Sequence, residues 1–431
     1  MAPVSDSDES GQSTPAAAKA KPATTKPPLS RPGPVAGNPL PSVLAVAPLT
    51  SRPVSIKNVR GARPTPRQAE PSPRHGDGRS APVLVRQLRG EVVESKHRGA
   101  IVEVGVEGAV RRSLGDVDVK VNLRSAVKPF GLVAFVEEGG VKEFDLLPAE
   151  LAIMAGSHSG EDLHVRTLQG IMRRASISQQ SLGCGAEGAP LDSLTAARLA
   201  RDGEKAGPLR HMCSGQHTSV LLLCKLNGWP LDEYWLSDHP VQRLYAATIA
   251  RVFRTTPEML TISTDACGVP TYAFPLHEIA RAFAMLADPA AIPAGDPRAS
   301  LAPALIQIRD AMLANPEMIA GSHDRLDTSV MKAAPGRIVA KGGAEGLRGF
   351  ALLASDDRAA SGLALKIEDG GGFDRAISAA SVEALAQAGA LDPAALRALA
   401  RYHRPASLDP RGEHVGEAVA EFQLAPVGEL L

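Results

Sequence analysis

Ser125 and Lys128 stand three residues apart in Arg124-Ser125-Ala126-Val127-Lys128. On a first helical turn this spacing puts the hydroxyl and the amine on one face. A neutral amine can then take the hydroxyl proton, so no His or Asp is needed to activate the serine. Short Ser/Lys spacings occur by chance in any long chain. Here the pair is followed by Ser157, in Ser157-His158-Ser159-Gly160-Glu161, and then by Lys341-Gly342-Gly343 before an apolar segment. Two hydroxyls and two amines in that order suit nucleophilic attack on a carbonyl carbon. A lysine that acts as a base must fall from its ordinary pKa of about 10.4, through burial or a neighbouring cation, and Lys341 beside Lys128 would supply such a cation. Ser157 could relay a proton or donate to an oxyanion. Spacing does not decide which serine is acylated, and the Ser-x-x-Lys geometry favours Ser125. His158 adjoins Ser157 in sequence, so the two side chains point apart and His158 is discounted as its base.

A second constellation involves thiols. Cys213 opens Cys213-Ser214-Gly215-Gln216-His217 before an apolar helix, and Cys267 lies in Asp265-Ala266-Cys267-Gly268-Val269-Pro270. Two thiols with a carboxylate and His211 or His217 nearby could hold zinc, although the spacing is not a compact zinc type. The plainer reading is that both are small buried hydrophobes. Cys224, in Val220-Leu221-Leu222-Leu223-Cys224, reads as core, and Cys184 as a turn residue.

The chain has 431 residues, enough for one large or two interlocked domains. It carries 47 basic and 47 acidic side chains, which gives no ground for a nucleic-acid or anionic-membrane partner. No apolar run reaches the roughly 18–20 residues that span a bilayer. The N-terminus has no basic and apolar leader pattern, and four cysteines suit a reducing cytoplasm. Residues 1–80 hold 15 of the 35 prolines and carry 11 basic against 5 acidic side chains. Such a stretch buries too little apolar surface to offset its ordering entropy, so it reads as a disordered basic tail.

Residues 81–431 read as globular. Short strands are predicted at Val83 to Val85, Ile101 to Val106 and Gly131 to Val136, with a turn at Gly115-Asp116. Helices are predicted at Pro148 to Ala155, Leu191 to Lys205, His217 to Leu226, His239 to Phe253, Leu276 to Leu286 and Leu301 to Leu313. Strands follow at Phe350 to Ala354 and Gly362 to Ile367, then helices at Ala376 to Ala388 and Pro393 to Tyr402. The pattern predicts an α+β (α/β sandwich) fold, with one antiparallel sheet flanked by helices and an all-helical lobe inserted at about 145–335.

The order Ser-x-x-Lys, loop Ser, Lys-Gly-Gly resembles that of serine β-lactamases and penicillin-binding proteins. The globular part as a whole resembles the Rhizobium-etli-type L-asparaginase family, or asparaginase II. Matching text includes Glu94-Ser95-Lys96-His97-Arg98-Gly99, Arg124-Ser125-Ala126-Val127-Lys128-Pro129-Phe130, Ser157-His158-Ser159-Gly160-Glu161, Cys213-Ser214-Gly215, His239-Pro240-Val241-Gln242, Asp265-Ala266-Cys267-Gly268-Val269-Pro270, Asn315-Pro316-Glu317-Met318, Lys341-Gly342-Gly343-Ala344-Glu345-Gly346 and Gly362-Leu363-Ala364-Leu365. The blocks run in family order from about 82 to 425.

The resemblance implies a serine β-lactamase/glutaminase-like fold and hydrolysis of L-asparagine to L-aspartate and ammonia. Ser125 with Lys128 and Ser157 with Lys341 would be the catalytic pairs, in a cytoplasmic homodimer. It also implies zinc held by Cys213, Cys267 and position 216, with Asp265 beside them. Position 216 is Gln216 rather than the family's Lys, so either Gln216 ligates as a weaker, harder donor, His211 or His217 substitutes, or the metal is lost. Gly131 stands where the family more often has Gln. Arg98 could pair with a substrate carboxylate, and Glu345 or Asp369 could clamp an amino group; structural ion pairs and turns are the alternatives. The competing functions are a glutaminase, β-lactamase-like acylase or peptidase on the same scaffold, and a non-catalytic binding homologue.

Overall fold

The computed structural model describes residues 81–370 and 375–426, which belong to the unit Pro71–Leu431. The expected tail, 1–80, lies outside them. The main sheet is built from β1 (Val83–Arg89), β2 (Val92–Gly105), β3 (Val110–Leu114), β7 (Ile338–Gly342), β8 (Leu347–Leu352), β9 (Ser361–Ile367), β10 (Ala406–Leu408) and β11 (His414–Ala420). Its order is β10-β11-β1-β2-β9-β8-β7, with β3 joined to β2, and the pairings are antiparallel. A smaller sheet, β4-β6-β5, is formed by Lys120–Asn122, Pro270–Pro275 and Thr261–Thr264. The last two of these strands fall inside the lobe expected to be all-helical.

Strands β7, β8 and β9 are buried at nearly every position, so both of their faces must be covered. The helices Leu276–Ala287 and Arg375–Gln387 both pack on β8 and β9. The sheet surface is shaped to admit the first of them. A Cβ at Gly349 would stand 2.0 Å from the Phe283 ring, so no larger residue fits there without moving that ring. Phe283 in turn meets Phe130 edge to face, with ring centroids 5.2 Å apart. Phe130 follows Lys128-Pro129 directly, so this aromatic chain ties the sheet to the segment that carries Lys128.

Gly131 to Val136 is helical, not the strand expected from sequence; it belongs to the helix Lys128–Glu137. Lys128 through Phe135 are all buried, and Pro129 occupies the first turn. A helix buried on every side shows no amphipathic period, and its sequence cannot be told from that of a buried strand. The Tyr245 ring fills the space beside Gly131. The predicted helix at Pro393 to Tyr402 breaks into Pro393–Ala398 and Ala400–His403. The helices Asp162–Arg174 and Leu326–Ala333 were not foreseen. Among the described residues no helix is long and apolar enough to cross a membrane.

Gly349→Ala should destabilise the fold by about 1–3 kcal/mol, the usual cost of overpacking a filled core. Thermal unfolding should register this as a lowered midpoint, and an unchanged midpoint would mean that Phe283 relocates freely.

Candidate active site

The Ser125 turn hangs from the small sheet. Leu123 donates its N–H to the Tyr272 carbonyl at 2.8 Å, and Arg124 donates its N–H to Thr271 Oγ1 at 3.0 Å. Arg124 then turns through a positive φ of 48°, an unfavourable conformation for a side chain of its size. The 3-10 turn Arg124–Val127 runs into the helix Lys128–Glu137. Lys128 is thereby aimed inward, 2% exposed, while Ser125 lines a cleft of about 540 Å³. The Ser125 hydroxyl has no hydrogen-bond partner among the described residues.

Ser157 lies just beyond the helix Pro148–Ala155. Its N–H donates to the Ile319 carbonyl at 2.6 Å, and its own carbonyl accepts from Arg325 Nη2 at 3.1 Å. Its hydroxyl oxygen is the meeting point of both amines. Lys128 Nζ and Lys341 Nζ each stand 3.0 Å from Ser157 Oγ. Lys128 also donates to the Gly156 carbonyl at 2.9 Å and to Cys213 Sγ at 3.3 Å, so three acceptors surround its three ammonium protons.

Lys341 is the last residue but one of β7 and is fully buried. Burial first, and the Lys128 charge second, hold its pKa down at about 7. The strand end is clamped by Asp327, which accepts from the Gly342 N–H and from Arg348 Nη1, both at 2.8 Å. Burial pushes the Asp327 carboxyl up, but the Arg348 and Lys341 charges outweigh it and leave the group below its usual value. Gly343 fits because a Cβ there would lie 2.8 Å from the Leu123 carbonyl. The end of β7 therefore sits flush against the backbone that leads into Ser125.

Lys128, Ser157 and Lys341 thus share one buried corner, and the half-buried Ser125 lines the same cleft as Ser157 and Lys341. Asp265 lines the same cleft and accepts from Arg124 Nε at 2.8 Å. Arg98 and Glu345, the other expected substrate contacts, are not brought there. Arg98 donates to the Ala81 carbonyl at 2.6 Å, and Glu345 occupies a turn with a φ of 56°. His158 faces away from Ser157, as expected. It contacts Ser214 Oγ at 2.9 Å, and burial drives its pKa well below the usual histidine value. Asp327, Arg348, Arg325 and Arg124 escaped sequence reasoning. Gly342, which pairs with Arg348 across the β7–β8 hairpin, was the available pointer to one of them.

Cys213 and Cys267 share a small buried cluster with Val269. A hydrogen bond from Cys267, aided by the Lys128 charge and opposed by burial, holds the Cys213 thiol well below its usual value. Among the described residues no His, Asp or Glu donor joins both thiols within 4.8 Å. Gln216 is buried on the helix Ser214–Leu226, and the Nδ1 of His211 already accepts the Cys213 N–H at 3.0 Å. Two soft donors are one short of the three protein ligands of a catalytic zinc centre. The set does not fit a tightly held zinc. Cys224 is core, while Cys184 is partly buried.

Among solved structures the chain is similar to a probable glutaminase from Bacillus subtilis complexed with 6-diazo-5-oxo-L-norleucine. The identity is 11%, over 63% of this chain and 76% of that one, with a TM-score of 0.31. A Bacillus glutaminase in 4.3 M NaCl matches at 11% identity, over 63% and 83%, with a TM-score of 0.30. Mglu in its tris and glutamate form matches at 15%, over 72% and 63%, also with a TM-score of 0.30. No curated protein matches. The profile of the family described as L-asparaginase II matches residues 85–420, nearly the whole folded part, and the chain accordingly belongs to the L-asparaginase II family of amidohydrolases.

Proposed function

We propose that this chain hydrolyses L-asparagine to L-aspartate and ammonia by Ser–Lys nucleophilic catalysis. The observation that carries the reading is the buried relay Lys128–Ser157–Lys341, with one hydroxyl held 3.0 Å from each of two amines at the floor of a cleft lined by Ser125. The motif text quoted above further supports the Rhizobium-etli type within the family, together with the cytoplasmic location and homodimer which that type implies.

In this reading Ser125 Oγ, unbonded and facing the cleft, attacks the carboxamide carbon. Lys341 is the amine that stands neutral near pH 7, so it accepts a proton from Ser157, and Ser157 takes one from Lys128. Lys128, now neutral, accepts the Ser125 proton. The reverse transfer protonates the departing nitrogen as ammonia and leaves a Ser125 ester. Water then attacks the ester by the same route, releasing aspartate and restoring Ser125. Asp265 is placed to meet the substrate's ammonium group, and Arg124 its carboxylate.

Ammonia release should be clearly faster from L-asparagine than from L-glutamine or a chromogenic β-lactam. Ser125→Ala should lower kcat by more than about a thousandfold. Ser157→Ala, which breaks the relay, should lower it by about 10²–10⁴-fold. Mass spectrometry of quenched reactions separates the two serines. An acyl adduct that persists in Ser125→Ala and disappears in Ser157→Ala would move the nucleophile to Ser157.

The relay also sets the pH response. Lys341 must start neutral, so turnover should fall as pH drops through about 7, where the amine becomes charged. Asp327 favours the charged amine, so Asp327→Asn should move this acid limb of kcat/KM to lower pH. A limb that stays in place or moves upward would remove Lys341 from the role of proton acceptor.

A further inference from the structure

We propose that Glu161, Asp192 and His323 form a binding site for a divalent first-row transition cation, independent of the amidohydrolase reading. One donor atom from each of the three residues lies within 4.8 Å of the other two. They come from three separate segments: the loop that begins at Ser157, the N-cap of the helix Ser193–Asp202, and the turn before the helix Leu326–Ala333.

Charge is the first argument. Glu161 is 8% exposed and Asp192 is 5% exposed. Two carboxylates this close and this buried repel each other unless a positive group stands between them. Among the described residues neither one pairs with a lysine or arginine. The basic groups present are His323, whose Nδ1 lies 3.2 Å from Asp192 Oδ1, and His164, whose Nδ1 accepts the Glu161 N–H at 3.1 Å. Arg198, which borders the same cavity, pairs instead with Asp162, Asp202 and Glu204.

The second argument is how the carboxylates are held. Glu161 Oε1 accepts from Ser159 Oγ and from the Ser322 N–H, both at 2.7 Å. Asp192 Oδ2 accepts from the Thr195 N–H and from Thr195 Oγ1, both at 2.7 Å. One oxygen of each group is thus fixed from behind. The Ser322 hydroxyl adds a further hydrogen bond to the Glu161 carboxylate, and Asp192 Oδ1 faces the imidazole. Outer hydrogen bonds orient metal-ligating carboxylates in this same manner. A cavity of about 330 Å³, lined by all three residues, gives an ion and its waters a way in. One imidazole nitrogen with two carboxylate oxygens suits Zn²⁺ or Mn²⁺ better than the all-oxygen cages of Ca²⁺. An ion there would bind the Ser157 loop to the turn bearing Arg325, whose guanidinium holds the Ser157 carbonyl at 3.1 Å.

The test is calorimetric titration of the chelator-treated full chain with Zn²⁺, Mn²⁺ and Ca²⁺, beside His323→Ala and Asp192→Asn. His323 is half exposed, and Asn still caps the helix through Thr195, so both variants should fold, as circular dichroism will show. The expected result is one equivalent of Zn²⁺ or Mn²⁺ bound in preference to Ca²⁺, with a raised unfolding temperature. Each variant should bind at least about tenfold more weakly and lose that rise. Cobalt separates this site from the cysteine pair. A Co²⁺ complex with no intense near-ultraviolet thiolate band supports the proposal, whereas a strong band places the ion at Cys213 and Cys267 and overturns it. Absence of binding, or equal affinity in His323→Ala, overturns it as well.

Discussion

Two amines buried against one hydroxyl impose the main constraint on this protein. Lys128 and Lys341 cannot both be ammonium ions at 3.0 Å from the same oxygen, sealed from water, without a large electrostatic penalty. The structure resolves it asymmetrically. Lys128 has a carbonyl, a hydroxyl and a thiol around it, with the Cys213 thiol held low. Lys341 has the deeper burial and the neighbouring charge, and it yields. The sheet, the aromatic chain from Gly349 through Phe283 to Phe130, and the Asp327 clamp all keep these two nitrogens at fixed positions.

The polar groups around the pair follow from this. Asp327 ties the end of β7 through the Gly342 N–H and shares Arg348, so the strand bearing Lys341 has little freedom to slide. Arg325 grips the Ser157 carbonyl from the other side. Arg124 is held in a conformation with a positive φ by its N–H bond to Thr271 Oγ1, by the Leu123 N–H bond to the Tyr272 carbonyl and by its Asp265 contact. Strain of this kind persists where surrounding contacts over-determine it, and it leaves Ser125 turned toward the cleft.

Much of this was legible in the sequence. Helices with strong end signals, such as Pro148–Ala155, were found within a residue or two, because proline at a first turn and an apolar repeat both mark them. The grouping of the candidate residues was legible because spacing carried it: Ser125 and Lys128 share a turn, and Lys341 precedes two glycines. The missed features have physical reasons. The Lys128–Glu137 helix is buried all round, so its period was invisible. Arg98 and Glu345 sit in motifs of the right kind but stand outside the cleft, since a motif does not say where its side chains point. Asp327 and Arg348 lie 21 residues apart and meet by sheet and helix packing, a coincidence that no local pattern encodes.

Strand β7 closes one end of the main sheet, where it pairs with β8 alone. Such an edge, five apolar or small residues long apart from Lys341, is ordinarily a template for another chain to pair with. Here every one of its residues is buried, because the Arg124–Val127 turn and the helix Leu326–Ala333 pack along it. The same turn that carries Ser125 therefore masks a sticky border. A lesion that unseated the turn would do two things at once: displace Ser125 from the cleft and open a seam for aggregation.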